Sequence, residues 1–264
     1  MLLNNDYSVI SKTDSNLHYA QTIQNGLFPK DRHFKKMVKD FFVMHQPQHI
    51  IGGDFHWLTK KNDTVYFALS DCTGHGVSGA MLSVLGISLL NYVIQKDIEN
   101  VGDILTELDK KWIETFNNEN DSVFNNDWMD ITIISYNTKT WEFQYASAGG
   151  EFAICQNKTI QLYNGNKYPI GGWQIEKNRI FDTFRIDLKK NAKLYFFSDG
   201  FKHQYNSDNK KKFTRKKLLD LLLHYHTFSM DSQKEFIEFI FSTWKDGIHQ
   251  TDDVSLVGLE FHSL

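Results

Sequence analysis

Cysteine and proline are both scarce in this chain of 264 residues, which contains two cysteines and three prolines. The two cysteines, Cys72 and Cys155, are too few for a disulfide-based scaffold or for a zinc site built from cysteines. The prolines stand alone at positions 29, 47 and 169, and no stretch has the composition of a Pro- or Ser-rich linker. We therefore expect one main domain preceded by a helical segment.

Strong charge of one sign and long apolar runs are also lacking. The net charge is −3, whereas domains that bind nucleic acid non-specifically are usually strongly basic, and the notable basic tract is the short run at 210–212. No apolar run approaches the roughly 18 residues of a membrane-spanning helix, and the N-terminus lacks the order of a signal peptide. The sequence thus predicts a cytoplasmic protein with no membrane span and no nucleic-acid partner.

Hydrophobic residues nevertheless make up 41% of the chain and aromatic residues 14%, enough for a sizeable core. Short β-branched or aromatic segments predict strands, namely FFVMHQ, TVYFALSD, ITIISYN, WEFQYASA, EFAICQ, TIQLYN, IFDTFRIDL, KLYFFSD and DVSLVGLEF. The connections NTKT and CQNKT resemble hairpin turns. Helical periodicity occurs at 77–95, 101–116, 215–226 and 233–245, and the first of these predicts a helix buried between layers. Antiparallel strands with inserted helices indicate an α+β fold.

The first thirty residues form a helical lead-in. Asp14 or Ser15 is expected to cap its start, and Pro29 ends it. An apolar stripe recurs at helical spacing, made by Leu17, Ala20, Ile23 and Leu27. This stripe packs either on its own domain or against a second copy or a signalling partner. We assign residues 1–30 to the lead-in and residues 31–264 to the main domain.

Acidic residues stand where predicted strands end or begin, namely Asp54, Asp71, Asp199, Asp252 and Asp253. Core packing does not explain a carboxylate at the end of a buried strand, because burying it alone is costly. Taken singly, each residue is explained by a turn or a cap. Together they would converge on one edge of the sheets, where three or four oxygen ligands suit Mg²⁺ or Mn²⁺ better than a metal that prefers nitrogen or sulfur.

The glycines of DCTGHGVSGA allow a sharp turn from Asp71 into a helix that begins near Val77. Their spacing matches neither a dinucleotide fingerprint nor a P-loop, and neither a G-x-S-x-G motif nor a cysteine phosphate cradle is present for covalent catalysis. Cys72 is more consistent with a core position than with a reactive thiol. His75 is either a solvated turn residue or a proton donor or phosphate contact.

Four short motifs occur in a specific order: GGDF, then DCTGHG with Asp71 following Asp54 by 71 − 54 = 17 positions, then SDG, then TDDVSL. In this order they resemble the metal-dependent protein serine/threonine phosphatases (PPM family), in particular the bacterial SpoIIE/RsbU-type branch of partner-switching pathways. YASAGG, YPIGG and KHQYN…KKF lie between them in the expected order. The resemblance covers roughly residues 42–261. GGDF could also be interpreted as a shortened signature of the enzymes that make cyclic dinucleotides, but no Glu precedes Phe55, and the order of the motifs favours the phosphatases.

The resemblance implies two antiparallel β-sheets packed as a sandwich flanked by α-helices (αββα layers), with two Mn²⁺ or Mg²⁺ ions at one edge. Asp71 would bridge the ions. Asp54 and the backbone carbonyl of Cys72 would complete one ion, and Asp199 and Asp252 the other. We prefer Asp252 to Asp253 because of its register with the last strand. A third ion near Asp127 or Asp130 is a further expectation.

The implied activity is hydrolysis of phosphoserine or phosphothreonine by a water molecule activated between two divalent ions. Asp54 and Asp71 would be catalytic through these ions, and His75 is a candidate donor to the leaving oxygen. The implied substrate is a phosphorylated regulatory protein, such as an anti-sigma-factor antagonist domain, and we expect a homodimer through the N-terminal helix. Two alternatives are a non-catalytic signalling module of the same fold and another two-metal phosphohydrolase. The retained aspartates argue against the first, and the lack of a basic groove and of histidine ligands against the second.

Overall fold

A computed structural model describes residues 3–116, 126–173, 179–207 and 211–262, with side chains from residue 14 onward. The helices in these ranges are α1 (Leu3–Leu27), α2 (Asp31–Met37), α3 (Gly76–Val93), α4 (Val101–Phe116), α5 (Asp199–His203), α6 (Arg215–Tyr225) and α7 (Met230–Lys245). The strands are β1 (Asp40–Gln46), β2 (Phe55–Lys61), β3 (Thr64–Cys72), β4 (Trp128–Asn137), β5 (Phe143–Ala148), β6 (Glu151–Gln156), β7 (Thr159–Asn164), β8 (Ile170–Gly171), β9 (Phe184–Ile186), β10 (Lys193–Phe197) and β11 (Val254–Glu260).

The strands form two antiparallel sheets. Sheet 1 has the order β1-β11-β10-β6-β7, and sheet 2 has the order β2-β3-β4-β5-β9 with β8 beside β4. Because side chains alternate across a strand, β3 sends Phe67 toward sheet 1 and Ala68 toward α3 and α4. A third apolar cluster lies between sheet 1 and the pair α6 and α7. The predicted sandwich with helices on both outer faces is confirmed.

The layer between the sheets is held by aromatic packing. The rings of Phe67 and Phe196 lie 4.8 Å apart across the two sheets, and Phe196 stacks on Phe152 of the neighbouring strand at 5.1 Å. All three side chains are fully buried. Truncation of one such ring to alanine typically costs about 3–5 kcal/mol, so this layer fixes how the two sheets face each other.

Several elements differ from the sequence expectations. β2, α2, α5 and the short β8 were not predicted, and the strand expected at 180–188 is reduced to β9. The first residues of β2 do not alternate between buried and exposed, because Phe55, His56 and Trp57 are all buried. One face of β2 packs on α3, and on the other His56 meets the rings of Phe28 and Phe34, which lie in and just before α2. α1 begins at Leu3, so neither Asp14 nor Ser15 caps its start.

α3 was expected to be buried between layers and is instead half-exposed. Its inner side packs on sheet 2 and α4, whereas Val77, Met81 and Tyr92 face outward. By length and composition this 18-residue helix could cross a membrane, with a mean hydropathy of 1.5, so the expectation that no segment approaches such a span is wrong. This length and composition are weak evidence for a membrane span, because 44% of the helix is buried in the fold. The core helices of soluble proteins often have the same length and composition.

Candidate metal centre

The predicted acidic residues meet at one end of the sandwich. Asp71 lies at the end of β3, directly opposite Asp130 in the β3–β4 register. Asp199 begins α5 immediately beyond β10, and Asp252 precedes β11. Asp54 ends the turn that leads into β2. The electrostatic environment of Asp71 includes all four of these other carboxylates, so the structure brings the predicted residues together.

Burial and mutual repulsion raise the pKa values of Asp54, Asp71, Asp130 and Asp252. Burial raises the pKa of Asp71 well above its usual value, and the charges of Asp54, Asp199, Asp252 and Asp130 raise it further. Burial likewise raises the pKa of Asp54 to about 8 and that of Asp130 to about 6. Carboxylates kept so close together in low dielectric require a positive charge to remain ionised at neutral pH.

Asp54 is fully buried and held from one side. The Ser198 hydroxyl donates a hydrogen bond of 2.6 Å to Asp54 Oδ2, and Ser198 in turn accepts one from the Ser255 backbone N–H at 3.0 Å. Asp54 Oδ1 and Asp199 Oδ1 are buried without a hydrogen-bond partner among the described residues. A buried carboxylate oxygen without a donor is costly, and both oxygens are therefore suited to an ion.

Asp252 and Asp253 have different surroundings. The Asp253 carboxylate accepts hydrogen bonds of 2.6 Å from the backbone N–H groups of Gln48 and Gly53, so it fixes the turn before Asp54. Asp252 is less buried; burial and the charge of Asp199 raise its pKa, while its hydrogen bond with the Asp253 backbone lowers it. Both oxygens of Asp253 are thus occupied by the protein, which leaves Asp252 as the better candidate ligand.

The turn before Asp54 packs closely on the loop that follows β3. A Cβ atom at Gly53 would lie 2.8 Å from the Gly74 carbonyl oxygen and 2.9 Å from that of Cys72, so only glycine fits there. This approach brings the Cys72 carbonyl beside the Asp54 turn. The Cys72 thiol is buried in the cluster below α3, and burial raises its pKa well above the usual value, which is unfavourable for a nucleophile.

His75 lies exposed at the N-terminal end of α3. Its ring centroid is 5.0 Å from that of His49, and its charge would lower the pKa of Asp252. Of the two residues predicted for a third ion, Asp130 adjoins Asp71, whereas Asp127 enters β4 with its carbonyl accepting hydrogen bonds from Trp112 Nε1 and the Gly172 N–H. The geometry thus favours Asp130 over Asp127.

Helix α1 contacts the turn before Asp54 through two glutamines. Buried Gln24 donates from Nε2 to the Gly52 carbonyl at 2.7 Å and to Ser83 Oγ at 2.8 Å, and its Oε1 accepts from the Gly52 N–H at 3.4 Å. Gln21 donates to the Ile50 carbonyl at 2.8 Å. The predicted apolar stripe is divided: Leu17 and Ala20 are partly buried, whereas Ile23 and Leu27 are 52% and 43% exposed.

Two residues beside the candidate centre, Ser198 and Gln24, were not predicted from the sequence. Ser198 stands directly before Asp199 in the SDG motif, so its place beside the acidic residues was accessible from the pattern. Gln24 carried no such signal, because a glutamine on a helix ordinarily faces solvent. Its role depends on contacts 28 and 59 positions away in the chain.

The donor set fits two hard divalent cations. Asp54, Asp71, Asp199 and Asp252 supply carboxylates, and Cys72 supplies a carbonyl, as Mg²⁺ and Mn²⁺ prefer. Among the described residues, no three Asp, Glu, His or Cys side chains already stand at ligating distances.

Comparison with known proteins agrees with this geometry. The family model for stage II sporulation protein E (SpoIIE) matches residues 61–262, which is more than half of the chain. A search of curated proteins finds no match.

Solved structures share the fold at low identity. The SiaA-PP2C domain of Pseudomonas aeruginosa superposes with a TM-score of 0.86 at 21% identity, covering 96% of this chain and 99% of that one. The PP2C phosphatase domain and regulatory fragment of SpoIIE from Bacillus subtilis gives 0.66 at 14% identity, covering 85% of this chain and 62% of that one. The PPM Ser-Thr phosphatase MsPP from Mycobacterium smegmatis gives 0.58 at 11% identity, covering 86% and 100%. The chain therefore belongs to the SpoIIE family of PP2C-type phosphatase domains, homologous to the PPM serine/threonine phosphatases, which are hydrolases.

Proposed function

We propose that this protein is a metal-dependent phosphatase that hydrolyses phosphoserine or phosphothreonine on a regulatory partner protein in the cytoplasm. The observation that carries the proposal is the convergence of Asp54, Asp71, Asp199 and Asp252 at one end of the sandwich. The pKa values of Asp54 and Asp71 are raised there, and two carboxylate oxygens are buried without a donor among the described residues. Such a group is costly to the fold unless it binds cations.

Asp71 would bridge two Mn²⁺ or Mg²⁺ ions, with Asp54 and the Cys72 carbonyl on one and Asp199 and Asp252 on the other. Two such ions, when bound, lower the pKa of a water molecule between them and neutralise charge on a phosphoryl group. The protein orients its own groups for this purpose: Ser198 fixes Asp54, and Asp253 fixes the turn before it. Exposed His75, whose charge would lower the pKa of Asp252, is the proposed donor of a proton to a departing serine or threonine oxygen.

The direct test is hydrolysis of a phosphoserine peptide by the purified chain in excess Mn²⁺. We expect activity that is lost with a chelator and in Asp71→Asn. Asp63→Asn is the matched control, because Asp63 lies at the far end of β3 in an exposed pair with Lys139. A wild-type protein that binds Mn²⁺ but hydrolyses no phosphopeptide would favour the non-catalytic module. Hydrolysis of a phosphodiester in preference to the phosphopeptide would favour a different two-metal phosphohydrolase.

Two solved neighbours support the proposed class of partner. One solved neighbour contains the RsbU and RsbW domains of Rv1364c from Mycobacterium tuberculosis, and another is described as part of the bacterial stressosome. For this chain we infer a phosphorylated regulatory domain of the anti-sigma-factor antagonist type as the substrate. Phosphate release from such a domain, compared with release from a short peptide of the same sequence, would test the inference.

A homodimer through α1 is the second part of the proposal. Beside the Gln24–Ser83 contact, α1 exposes Tyr19, Ile23 and Leu27, and α3 exposes Val77 and Met81. These apolar side chains of two adjoining helices recur at spacings that place them on one side of each helix. A second copy of the chain is the proposed occupant, because a twofold interface pairs the same patch of both subunits, and here both helices contribute exposed apolar side chains to that patch.

Light scattering of the purified protein tests the dimer. We expect Ile23→Glu combined with Met81→Glu to yield monomers with an unchanged circular dichroism spectrum. Phe239→Glu is the matched control, since Phe239 is an equally exposed side chain on α7 at 69% exposure. A wild-type monomer at all concentrations would contradict the proposed dimer.

A further inference from the structure

Positive charge is concentrated in one short part of the chain. Between positions 200 and 217 stand seven of the 29 Lys and Arg residues but one of the 32 acidic residues. This part therefore carries 7 − 1 = +6, and the remainder carries −9, within a net charge of −3. We call the cationic residues that the structure describes in this part the basic segment: Lys202, Lys211, Lys212, Arg215, Lys216 and Lys217.

The basic segment has a defined backbone conformation. Phe213 N–H donates to the Gln204 carbonyl at 2.9 Å, and Asn206 N–H donates to the Lys211 carbonyl at 3.0 Å, with a bridge between Tyr205 and Lys212. The Phe213 ring is buried against Phe201 and Trp244 at centroid distances of 5.0 and 5.3 Å. The backbone beside the described lysines is thus held by hydrogen bonds and ring packing, so a partner that binds has to order the lysine side chains but not this backbone.

Part of this charge is not used within the fold. Lys202 and Arg215 both pair with Glu151, each at 2.8 Å, and Lys217 Nζ lies 4.0 Å from the Trp244 ring centroid. Lys211 and Lys216 are exposed and form no ion pair with any described residue. Their ammonium groups are therefore available to a partner.

The segment adjoins the proposed metal centre. Asp199 begins α5, and Lys202 follows within one helical turn, which is about 5 Å of rise. Lys202 lines the same small cavity, of about 50 Å³, as Asp71, Asp130 and Asp199. Glu151 links Lys202 to Arg215 at the start of α6. The salt-bridged group Lys202–Glu151–Arg215 thus connects the start of α6 to the edge of the centre, with one positive charge in excess.

We propose that the basic segment docks an acidic surface of the phosphorylated partner protein and places the phosphorylated residue over the metal centre. This inference rests on the proposed function and names the chemistry of its substrate. The negative charge of the remaining surface would repel acidic partners elsewhere, so attraction is confined to the side of the molecule where the reaction occurs. A nucleic acid would be repelled over most of the surface.

The experiment compares three phosphoserine peptides whose flanking residues are acidic, neutral or basic, with p-nitrophenyl phosphate as a small substrate. At low salt we expect kcat/KM for the acidic peptide to exceed that for the basic peptide by roughly tenfold, chiefly through KM. The preference should shrink toward equality near 1 M salt, where the screening length falls to about 3 Å. Lys211→Glu combined with Lys216→Glu should remove the preference and leave p-nitrophenyl phosphate hydrolysis unchanged.

The matched control is Lys158→Glu combined with Lys190→Glu, two exposed lysines near turns at the opposite end of sheet 1. The control should keep the preference for the acidic peptide. Equal hydrolysis of all three peptides by the wild type, or a preference that survives in the Lys211 and Lys216 variant, would overturn the inference alone. Absence of hydrolysis of every substrate would overturn the proposed function itself. Tight binding of duplex DNA by the wild type but not the variant would reassign the surface to nucleic acid.

Discussion

The buried carboxylates predict that Asp54→Asn stabilises the metal-free protein at alkaline pH. The pKa of Asp54 is about 8 in the folded protein against 3.8 for the free side chain. The folded chain therefore holds a proton that the unfolded chain releases between about pH 4 and pH 8, and wild-type stability falls as the pH rises through this window. Asparagine carries no charge, retains the shape of aspartate and can still accept the Ser198 hydroxyl.

The size of the effect follows from the same values. The difference between about 8 and 3.8 sets an upper limit of about 6 kcal/mol at pH 8. Since neighbouring carboxylates share their repulsion and titrate together, we expect about 2–4 kcal/mol. For a domain of this size, that range corresponds to a rise in Tm of roughly 5–10 °C.

The assay is thermal unfolding in chelator from pH 4 to pH 8, with and without Mn²⁺. Asp54→Asn should unfold at a higher temperature than the wild type at pH 8 and at the same temperature near pH 4, and Mn²⁺ should stabilise it less than the wild type. Asp253→Asn is the matched control: it should destabilise by about 1–3 kcal/mol, because its carboxylate accepts two backbone N–H groups. An Asp54→Asn protein that is less stable than the wild type in chelator at pH 8 would refute the reasoning.

Three further predictions concern neighbouring positions. Gln24→Leu should cost about 1–3 kcal/mol in urea unfolding and weaken Mn²⁺ binding in calorimetry, since the Gly52 and Ser83 groups lose their partner; unchanged Mn²⁺ affinity would contradict a link from α1 to the centre. Gly149→Ala should cost about 1–3 kcal/mol, because its φ is +71° and a Cβ would overlap Asp130 Oδ1, whereas Gly26→Ala in open helical surroundings should stabilise slightly. Cys72 should resist a thiol reagent at pH 8 until the protein unfolds, since burial raises its pKa; rapid labelling of the native protein would show an open site.

The sequence predicted those parts of the fold that depend on local pattern. β3 and β4 are runs rich in β-branched and aromatic residues, and Asp71 follows the apolar residues Val65, Phe67 and Leu69 on one face of β3, so its unusual position was visible. β2 was not predicted because its sequence, FHWLTKK, contains one β-branched residue and ends in polar residues, which gives a weak strand signal. The short α5 was not predicted because five residues give too little periodicity to detect.

The sequence predicted which aspartates would lie together in the candidate site, but not the contacts that distinguish their surroundings. The order of the motifs selected Asp54, Asp71, Asp199 and Asp252, and the structure brings these residues together. The different environments of Asp252 and Asp253 depend on backbone donors from the turn before Asp54, some 200 positions away. The contact of Gln24 with Gly52 is likewise non-local, and no local rule distinguishes it from a solvent-exposed glutamine.

The pairing of β1 with β11 has a consequence for the synthesis of this protein. Asp40 lies opposite Glu260 in that register, and β11 also forms the other neighbour of β10. Sheet 1 therefore cannot close until the last strand has been translated, and contacts between such distant segments are slow to form. A chain that terminates before Val254 loses the strand that joins β1 to β10 in sheet 1, together with the template that places Asp252. Shortened products should be aggregation-prone and inactive rather than partly functional.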